Sequence, residues 1–244
     1  KPKRLGTTVA PRGPVRSKPI ILPDGSWLAP TSREIISGNG GLLTIMDFML
    51  SQNVVWDSFS DRTTDKGKSW NLSLSVPIDR ESLGKYGGVI QPTLWLKDDG
   101  TVGMYMRSTY GWIFESESRN GGISWEPAKK TSIPNNNSGV DVLKLKCGLL
   151  VMAFNPVGGN WAKRTPLSIL LSNNDGKTWH GPAHLEASEG SFSYPALVET
   201  EYGFDIAYTW NRLSIAHRQI EISPLVRDSK GYQLRDIGAP VPTA

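Results

Sequence analysis

Three eight-residue segments of the chain share one pattern and recur at an almost constant interval. The pattern is Ser/Thr-x-Asp/Asn-x-Gly-x-Ser/Thr-Trp, and its copies occupy residues 63–70, 118–125 and 172–179, so that their starts lie 55 and 54 residues apart. In each copy the Asp or Asn can accept hydrogen bonds from backbone N–H groups, the Gly can take a positive φ, and the Trp can pack the turn onto a sheet. A turn that returns at this interval indicates a repeated supersecondary unit, and such units bury their apolar faces by stacking on one another.

The segments around each octet predict the rest of the unit. A short apolar strand begins near residues 18, 91, 141 and 194 and reaches a turn glycine at 25, 100, 148 or 203, and a second strand ends seven residues later. A third strand leads into the octet, and a fourth follows its Trp. No segment shows sustained apolar spacing at i, i+3, i+4 and i+7, which argues against helices between the strands. Repeated four-stranded antiparallel meanders predict an all-β protein with a β-propeller fold rather than a sandwich.

The repeat also predicts how the chain is divided. We expect a single β-propeller domain over residues 1–244, with blades at about 17–77, 87–134, 138–187 and 192–222 and a C-terminal tail at 223–244. Six blades of this size would need roughly 320 residues, whereas 244 residues supply about four. We therefore expect the C-terminal part of a six-bladed ring, completed by a missing N-terminal segment or a partner chain. An unusual four-bladed closure is the alternative.

Composition excludes several classes of function. No apolar run approaches the roughly 18 residues of a membrane span, and the net charge of +4 comes from scattered residues, so neither a membrane span nor a nucleic-acid partner is expected. The single cysteine, Cys147, cannot form an internal disulfide, and no Cys/His cluster has metal-ligand spacing. No metal or organic cofactor is implied. One cysteine suits the cytosol and the exterior alike, which leaves the compartment open, with a secreted or periplasmic location favoured.

The octets resemble the Asp-box, or BNR, repeats of the sialidase superfamily. Further segments resemble its BNR-repeat, neuraminidase-like branch, and they lie at 89–93, 106–108, 135–141, 192–196 and 208–212. The resemblance covers most of the chain and implies a six-bladed propeller. It also implies a carbohydrate or glycoconjugate as substrate, with exo-acting hydrolysis of a terminal acidic sugar, sialic acid or a relative.

The resemblance further implies roles for individual residues. Members of the superfamily hold the substrate carboxylate with three arginines, use a Tyr assisted by a Glu as the nucleophile, and use an Asp as the general acid. Arg107 fits the second arginine, Arg164 the third and Tyr194 the nucleophile, whereas Gln91 stands where the Glu is expected. The first arginine and the acid Asp belong to the first blades, and neither is found in the sequence.

Several of these residue types suit the chemistry on physical grounds. Arginine binds carboxylates through a planar fork that donates two parallel hydrogen bonds. The alternatives are an ion pair with a blade-edge carboxylate for Arg107 and an ordinary solvated loop for Arg164. Lys18, at the strand start of the first repeat, could add positive charge to an acidic-sugar site. Trp210 could stack on a sugar face, with packing inside a blade as the alternative.

A tyrosine nucleophile needs a proton acceptor, because a phenol with a pKa near 10 is neutral at neutral pH. Gln91 cannot accept the proton as a base. We hypothesise that Asp141, which we expect at the same blade position as Gln91 and Tyr194, takes the proton from Tyr194 or acts as a base toward water. The alternative is that Asp141 only accepts a backbone hydrogen bond at a strand start.

Three functions remain open. A sialidase-like hydrolase is favoured by the resemblance. A carbohydrate-binding propeller without turnover is supported by Gln91 in place of Glu and by the acid that is not found. A polysaccharide lyase acting on uronic acids would use Tyr194 as base and acid, with an arginine neutralising the carboxylate, and would not need the Glu.

Overall fold

The computed structural model describes residues 13–14, 16–36, 54–84, 86–222 and 234–236 of the chain. Almost all of its regular elements are β-strands joined as antiparallel meanders, so the expected all-β class is confirmed. Within the described ranges the one helix is the single turn α1 (Arg80–Leu83), and none of the helical structure there is long and apolar enough to cross a membrane. The chain divides into two compact units, Lys1–Ile133 and Pro134–Ala244.

Unit 1 contains two successive meanders whose strands join into one sheet. The first consists of β1 (Gly13–Pro14), β2 (Ile20–Ile21), β3 (Trp27–Ile36), β4 (Val54–Thr63) and β5 (Asn71–Leu72). The second consists of β6 (Gly87–Leu96), β7 (Val102–Ser108), β8 (Trp112–Ser118) and β9 (Lys129–Pro134). A short parallel pairing of Trp56 with Gly88 joins β4 to β6. This approach requires a glycine, because a Cβ at position 88 would lie 2.2 Å from the Trp56 carbonyl oxygen.

Unit 2 contains two four-stranded antiparallel sheets. The first is formed by β10 (Asp141–Lys144), β11 (Leu150–Phe154), β12 (Leu167–Ser172) and β13 (His180–Glu186). The second is formed by β14 (Phe192–Glu199), β15 (Gly203–Trp210), β16 (Ser214–Ile222) and β17 (Leu234–Asp236). β17 lies in the segment that the sequence interpretation treats as a tail, and the rest of that segment lies outside the described residues. The last meander thus obtains its fourth strand from the segment 223–244.

Each unit has its own apolar core between successive meanders. In unit 1, Leu28 and Val89 pack with Met104, Met106 and Phe114. The core of unit 2 lies between its two sheets and is formed by side chains from both, including Val151, Ile169, Leu197, Phe204 and Ile206. β11 and β12 are buried at every residue, which explains their largely apolar sequences.

The three octets form the same hydrogen-bonded turn. In the first, the Asp65 carboxylate accepts from the Ser69 N–H at 2.9 Å, and the Thr63 hydroxyl accepts from the Gly67 N–H at 2.9 Å. The equivalent bonds recur in the other two octets, where Asn replaces Asp. The octet glycines have φ near +85°. These contacts are the ones that the pattern predicts, and they place the octet polar residues in turns rather than in a site.

The Trp of the second octet fixes its turn across two meanders of unit 1. The Trp125 indole N–H donates to the Ser60 hydroxyl of β4 at 3.0 Å, and that hydroxyl donates to the Gly122 carbonyl at 2.9 Å. Trp125 is buried and belongs to the core of the unit. The repeated Trp is therefore a packing residue in this copy.

Candidate functional site

Two of the candidate residues, Gln91 and Tyr194, occupy matching β-bulges. In unit 1, Gln91 and Pro92 together lie opposite one residue of β7, Met106, because the register shifts between Ile90 and Thr93. In unit 2, the residues at 194 and 195 together lie opposite residue 208 of β15. Both candidates have a left-handed backbone, with φ of 51° at Gln91 and 55° at Tyr194. A side chain in this conformation costs on the order of 1–2 kcal/mol, and bulges of this kind redirect side chains next to active sites.

Arg107, at the end of β7, is held beside the first bulge. Its Nη1 donates to Gln91 Oε1 at 3.0 Å, and its guanidinium carbon lies 5.4 Å from the centre of the Trp56 ring. Arg107 is 4% exposed. Gln91 therefore acts in this structure as a neutral acceptor that orients the guanidinium.

A second charged group of unit 1 lies along the neighbouring strands. Arg33 Nη2 donates to one carboxylate oxygen of Asp57 at 2.9 Å, and Arg80 Nη2 donates to the other at 2.6 Å. Arg80 Nη2 also donates to the Trp56 carbonyl at 2.8 Å. Two guanidinium groups thus share one buried carboxylate, so this group carries a net positive charge.

In unit 2 the structure brings Arg164 and Tyr194 together. Arg164 Nη1 donates to the Ser193 hydroxyl at 3.0 Å and Nη2 to the Tyr194 phenol oxygen at 3.5 Å. The guanidinium carbon lies 4.9 Å from the centre of the tyrosine ring. The Arg164 carbonyl accepts from the Phe192 N–H at 2.8 Å, which fixes the loop against the start of β14. The resemblance implies a carboxylate-binding arginine and a nucleophile at these two positions, and both roles stay predictions.

Three asparagines hold the loop that carries Arg164. Asn136 Nδ2 donates to the Lys163 carbonyl at 2.6 Å, and Asn137 Nδ2 donates to the Asn160 side chain at 2.7 Å. Asn155 Nδ2 donates to the carbonyl oxygens of residues 166 and 192 at 2.8 and 2.9 Å. All three asparagines are buried. The Asn-rich segment before β10 therefore positions the loop rather than contacting solvent.

The position of Asp141 differs from the expectation. Asp141 pairs with Ala153 in a regular ladder and lies four residues before the residue whose N–H closes the hairpin turn. Gln91 and Tyr194 each lie six residues before the residue whose N–H closes the equivalent turn. Its register equivalents are Thr93 and Ala196, so the expected equivalence with Gln91 and Tyr194 is wrong. Asp141 is 3% exposed, and its Oδ2 accepts from the Leu197 N–H at 2.8 Å. This is the backbone bond that the sequence left open as the alternative, whereas none of these contacts tests the proton-acceptor role.

Lys18 and Trp210 lie at strand ends in different units. Lys18 is partly buried and lies two residues before β2. Trp210 ends β15, is packed against the core of unit 2, and has its ring centre 6.5 Å from that of Phe192. The contacts of Trp210 are those of the packing alternative.

Comparison with known proteins assigns the family. A family model described as a BNR repeat-like domain matches residues 1–230. The chain belongs to the BNR repeat-like domain family. No curated protein sequence matches it.

Solved structures with the same fold include sialidases. A protein of unknown function from Dyadobacter fermentans DSM 18053 aligns with a TM-score of 0.61 at 14% identity, over 80% of this chain and 49% of that protein. NanB sialidase from Streptococcus pneumoniae aligns with a TM-score of 0.55 at 16% identity, over 78% and 27%. Trypanosoma rangeli sialidase in complex with sialic acid aligns with a TM-score of 0.52 at 9% identity, over 88% and 29%. The predicted propeller class is thereby confirmed, and this chain spans about half of the first protein and less than a third of the two sialidases.

Several residues of this BNR repeat-like chain that surround Arg107 were missed from the sequence. Glu34 and Trp56 are direct cross-strand partners on β3 and β4, and Arg33 pairs with Asp57 one step along. Burial raises the pKa of the Glu34 carboxyl, although the charge of Arg107 and the Trp56 side chain both lower it. Two adjacent charged residues, Arg33 and Glu34, in an otherwise uncharged strand were the available signal. In the described part of the chain, no group of three or more His, Cys, Asp or Glu side chains is placed to hold a metal ion.

Proposed function

We propose that this member of the BNR repeat-like domain family is a sialidase-like exo-glycoside hydrolase that removes a terminal acidic sugar, sialic acid or a relative. The observation that carries the proposal is the contact between the Arg164 guanidinium and the Tyr194 phenol. It joins a carboxylate-binding cation to a phenol at a backbone bulge. Sugars with a carboxylate on the anomeric carbon need both groups at one place.

Arg164 would have two effects on this reaction. Its planar fork would bind the substrate carboxylate through charge-assisted hydrogen bonds. Its positive charge would also stabilise the phenolate that develops on Tyr194, because a nearby opposite charge favours the ionised form. Ser193 keeps the guanidinium in place through its hydroxyl. Arg107 in unit 1, oriented by Gln91, is the second candidate for carboxylate binding.

The chemistry would follow the retaining route. The Tyr194 oxygen would attack the anomeric carbon through an oxocarbenium-like transition state as the bond to the leaving-group oxygen breaks, and the phenol proton would pass through water to that oxygen. Water would then hydrolyse the covalent glycosyl intermediate and return a proton to the tyrosine oxygen. The left-handed backbone at Tyr194 supports this role, since strained backbone is found preferentially at active sites.

The experiment that tests the proposal uses the purified chain with three probes. Release of 4-methylumbelliferone from its α-sialoside is the expected result. New ultraviolet absorbance from an unsaturated uronate, with no release from the sialoside, would instead indicate a lyase. Calorimetric binding of sialic acid with neither activity would indicate a binding protein. Either of the last two results would overturn the proposed hydrolase.

One observation favours the binding protein as the second candidate. The bulge position in unit 1 holds a neutral side chain, Gln91, and its amide oxygen is bonded to Arg107. A neutral group there orients a carboxylate-binding arginine without drawing a proton from any nucleophile. This arrangement suits ligand capture as well as turnover, and the calorimetric result above separates the two.

A further inference from the structure

Three segments of unit 2 meet at the end of the strands where Tyr194 lies. They are the loop that carries Arg164 (residues 160–166), the segment that leads into β14 (residues 188–193) and the turn between β15 and β16 (residues 211–213). Their sequences contain three basic residues and one acidic residue, so together they carry a net positive charge. The basic residues are Lys163, Arg164 and Arg212, and the acidic residue is Glu189.

Backbone hydrogen bonds join the three segments. The Phe192 N–H donates to the Arg164 carbonyl at 2.8 Å, and the Asn211 N–H donates to the Ser191 carbonyl at 2.8 Å. The Asn211 side chain accepts from the Ser191 N–H, also at 2.8 Å. Because each of these pairings spans one strand spacing, the loop of Arg164 and the turn after β15 lie about 10 Å apart. Cations on these two segments can therefore contact neighbouring sugars of one glycan.

The turn after β15 holds Arg212 in an unfavourable backbone conformation. The φ angles of Asn211 and Arg212 are 52° and 58°, and the Leu213 N–H donates to the Trp210 carbonyl at 3.0 Å. Hairpin turns with a left-handed backbone at both central residues favour Asn followed by Gly. Asn211 fits this preference, whereas the Cβ of an arginine is disfavoured at the next position. Residues kept in such conformations are found preferentially at functional sites.

The two arginines of this region differ in what already engages them. Arg164 donates to the Ser193 hydroxyl and lies over the Tyr194 ring, so it serves the sugar that the tyrosine attacks. Arg212 is exposed on the far side of the segment that leads into β14. Its planar fork is suited to a carboxylate in the same way as that of Arg164. The position of Arg212 therefore suits a carboxylate on the sugar next to the terminal one.

We propose that Arg212 binds a second carboxylate of the substrate, so that the preferred glycan ends in two linked acidic sugars. This inference rests on the proposed function. Arg164 holds the carboxylate of the terminal sugar beside Tyr194, and Arg212 holds the carboxylate of the sugar that leaves. The contact with Arg212 strengthens binding of the glycan and takes no part in breaking the glycosidic bond.

The test compares two oligosaccharides that differ in the sugar next to the terminal sialic acid. That sugar is a second sialic acid in α2,8-linked disialyllactose and a neutral galactose in 3′-sialyllactose. The substrates also differ in linkage, so the deciding quantity is the ratio of their kcat/KM values in the wild type and in each variant. Sialic acid released at early times is quantified by chromatography.

Three substitutions of Arg212 separate charge, fork and backbone. We expect Arg212→Gln to lower the ratio of disialyllactose to sialyllactose by about 5- to 10-fold, through KM for disialyllactose. Arg212→Lys keeps the charge without the fork and should lose less. Arg212→Gly removes the side chain where glycine fits the left-handed backbone, so the ratio should fall with no decrease in melting temperature. In the wild type, about 0.5 M NaCl should also lower the ratio, because salt screens exposed charges.

Lys177→Gln is the matched control. Lys177 is an exposed cation of the same unit, in the third octet, and the octet begins at the end of β12 opposite to the loop of Arg164. Its replacement removes one positive charge and should leave the ratio of the two substrates as in the wild type.

The outcomes separate the inference from the proposed function. If the wild type cleaves the oligosaccharides and the ratio is the same in Arg212→Gln and Arg212→Gly, the function stands and the inference is overturned. If the wild type cleaves neither oligosaccharide nor the 4-methylumbelliferyl (aryl) sialoside, the proposed function fails, and calorimetry with the same two oligosaccharides tests the second carboxylate site alone. Tighter binding of disialyllactose that is lost in Arg212→Gln would then support that site, and equal affinities would overturn it.

Discussion

The guanidinium of Arg164 lies over the phenol ring of Tyr194, with its carbon 4.9 Å from the ring centre and Nη2 3.5 Å from the phenol oxygen. One residue comes from a loop and the other from a bulge in β14. The loop is fixed by buried asparagines and the bulge by the register shift in the ladder of β14 and β15. The loop and the bulge are thus fixed separately, and together they bring Arg164 into contact with Tyr194.

The first prediction concerns Arg164→Lys. Lysine keeps the positive charge but loses the planar fork, so one or more charge-assisted hydrogen bonds to the substrate carboxylate are lost. We expect KM for the aryl sialoside to rise by about 10- to 100-fold. Arg119→Lys, at an exposed position of the second octet, is the control and should not change KM. An unaltered KM in Arg164→Lys would remove this residue from the carboxylate site.

The second prediction concerns Asp141→Asn. The buried carboxylate accepts from the Leu197 N–H, and the amide that replaces it is a weaker acceptor. We expect the free energy of unfolding in urea to fall by about 1–2 kcal/mol, with turnover per folded molecule retained. Glu201→Gln, an exposed acid of the same unit, should leave stability unchanged. Lost turnover at full stability would instead support Asp141 as a proton acceptor.

The position of Asp141 shows where sequence reasoning reached its limit. Gln91 and Tyr194 are each followed by Pro, and both lie in a bulge. Asp141 is followed by Val, and its ladder is regular. The missing proline was a visible signal that the third repeat differs. An extra bulge residue shifts the register, so counting along the chain from the turn places residues beyond the bulge wrongly.

The third prediction concerns the octet residue Asp65. Hydrogen bonds from the Ser69 backbone, the Ser69 hydroxyl and Thr63 hold the pKa of its carboxyl well below the usual range. A depressed pKa contributes stability above the unfolded-state value near 4, and this contribution is lost as pH falls below it. We expect Asp65→Asn to keep the melting temperature at neutral pH, because Asn120 and Asn174 form the same turn, and to reduce the loss of stability on acidification.

Asp65→Ala is the matched variant for this turn. It removes the acceptor altogether, so its melting temperature should be lower than that of Asp65→Asn at neutral pH. Equal melting temperatures for the two variants would show that the side-chain bonds of the octet do not stabilise the turn.

Local and long-range contacts account for what the sequence could and could not predict. The octet bonds join residues two to four apart, so the pattern alone predicted them. The pairing of Glu34 with Trp56 depends on the register of β3 and β4 across the long segment between them, and a segment of that length does not fix the register. Arg107, Arg164 and Tyr194 were found through the family resemblance, whereas the charged group of Arg33, Asp57 and Arg80 had no such guide.

The fourth prediction concerns a buried network in unit 2. The Tyr208 hydroxyl donates to Glu186 Oε1 at 2.5 Å, and Arg218 donates to both the hydroxyl and the carboxylate, at 3.0 and 2.8 Å. Burial, followed by the hydrogen bond to Glu186, raises the pKa of Tyr208 above its ordinary value. As pH rises through about 10, the Tyr208 hydroxyl therefore loses its proton in the unfolded chain before it does so in the folded chain. The stability that the network contributes should therefore be lost above that pH.

Tyr208→Phe tests the network. We expect a lower free energy of unfolding at neutral pH, by about 1–3 kcal/mol because Glu186 and Arg218 lose a buried partner, and a smaller further decline between pH 9 and 11. Tyr202→Phe, which alters an exposed tyrosine of the same unit, should follow the wild-type curve. A Tyr208→Phe curve parallel to wild type would show that this phenol does not contribute to the alkaline loss.

The most direct test of the central claim is covalent labelling of Tyr194. A 2,3-difluorinated sialic acid slows hydrolysis of the glycosyl intermediate, so mass spectrometry of digested protein can locate the attached sugar. We predict that the sugar is found on the peptide that contains Tyr194 and is absent from Tyr194→Phe, while Tyr202→Phe is labelled like the wild type. Labelling at another residue, or no labelling of a chain that releases 4-methylumbelliferone from the sialoside, would contradict the assignment of Tyr194 as the nucleophile.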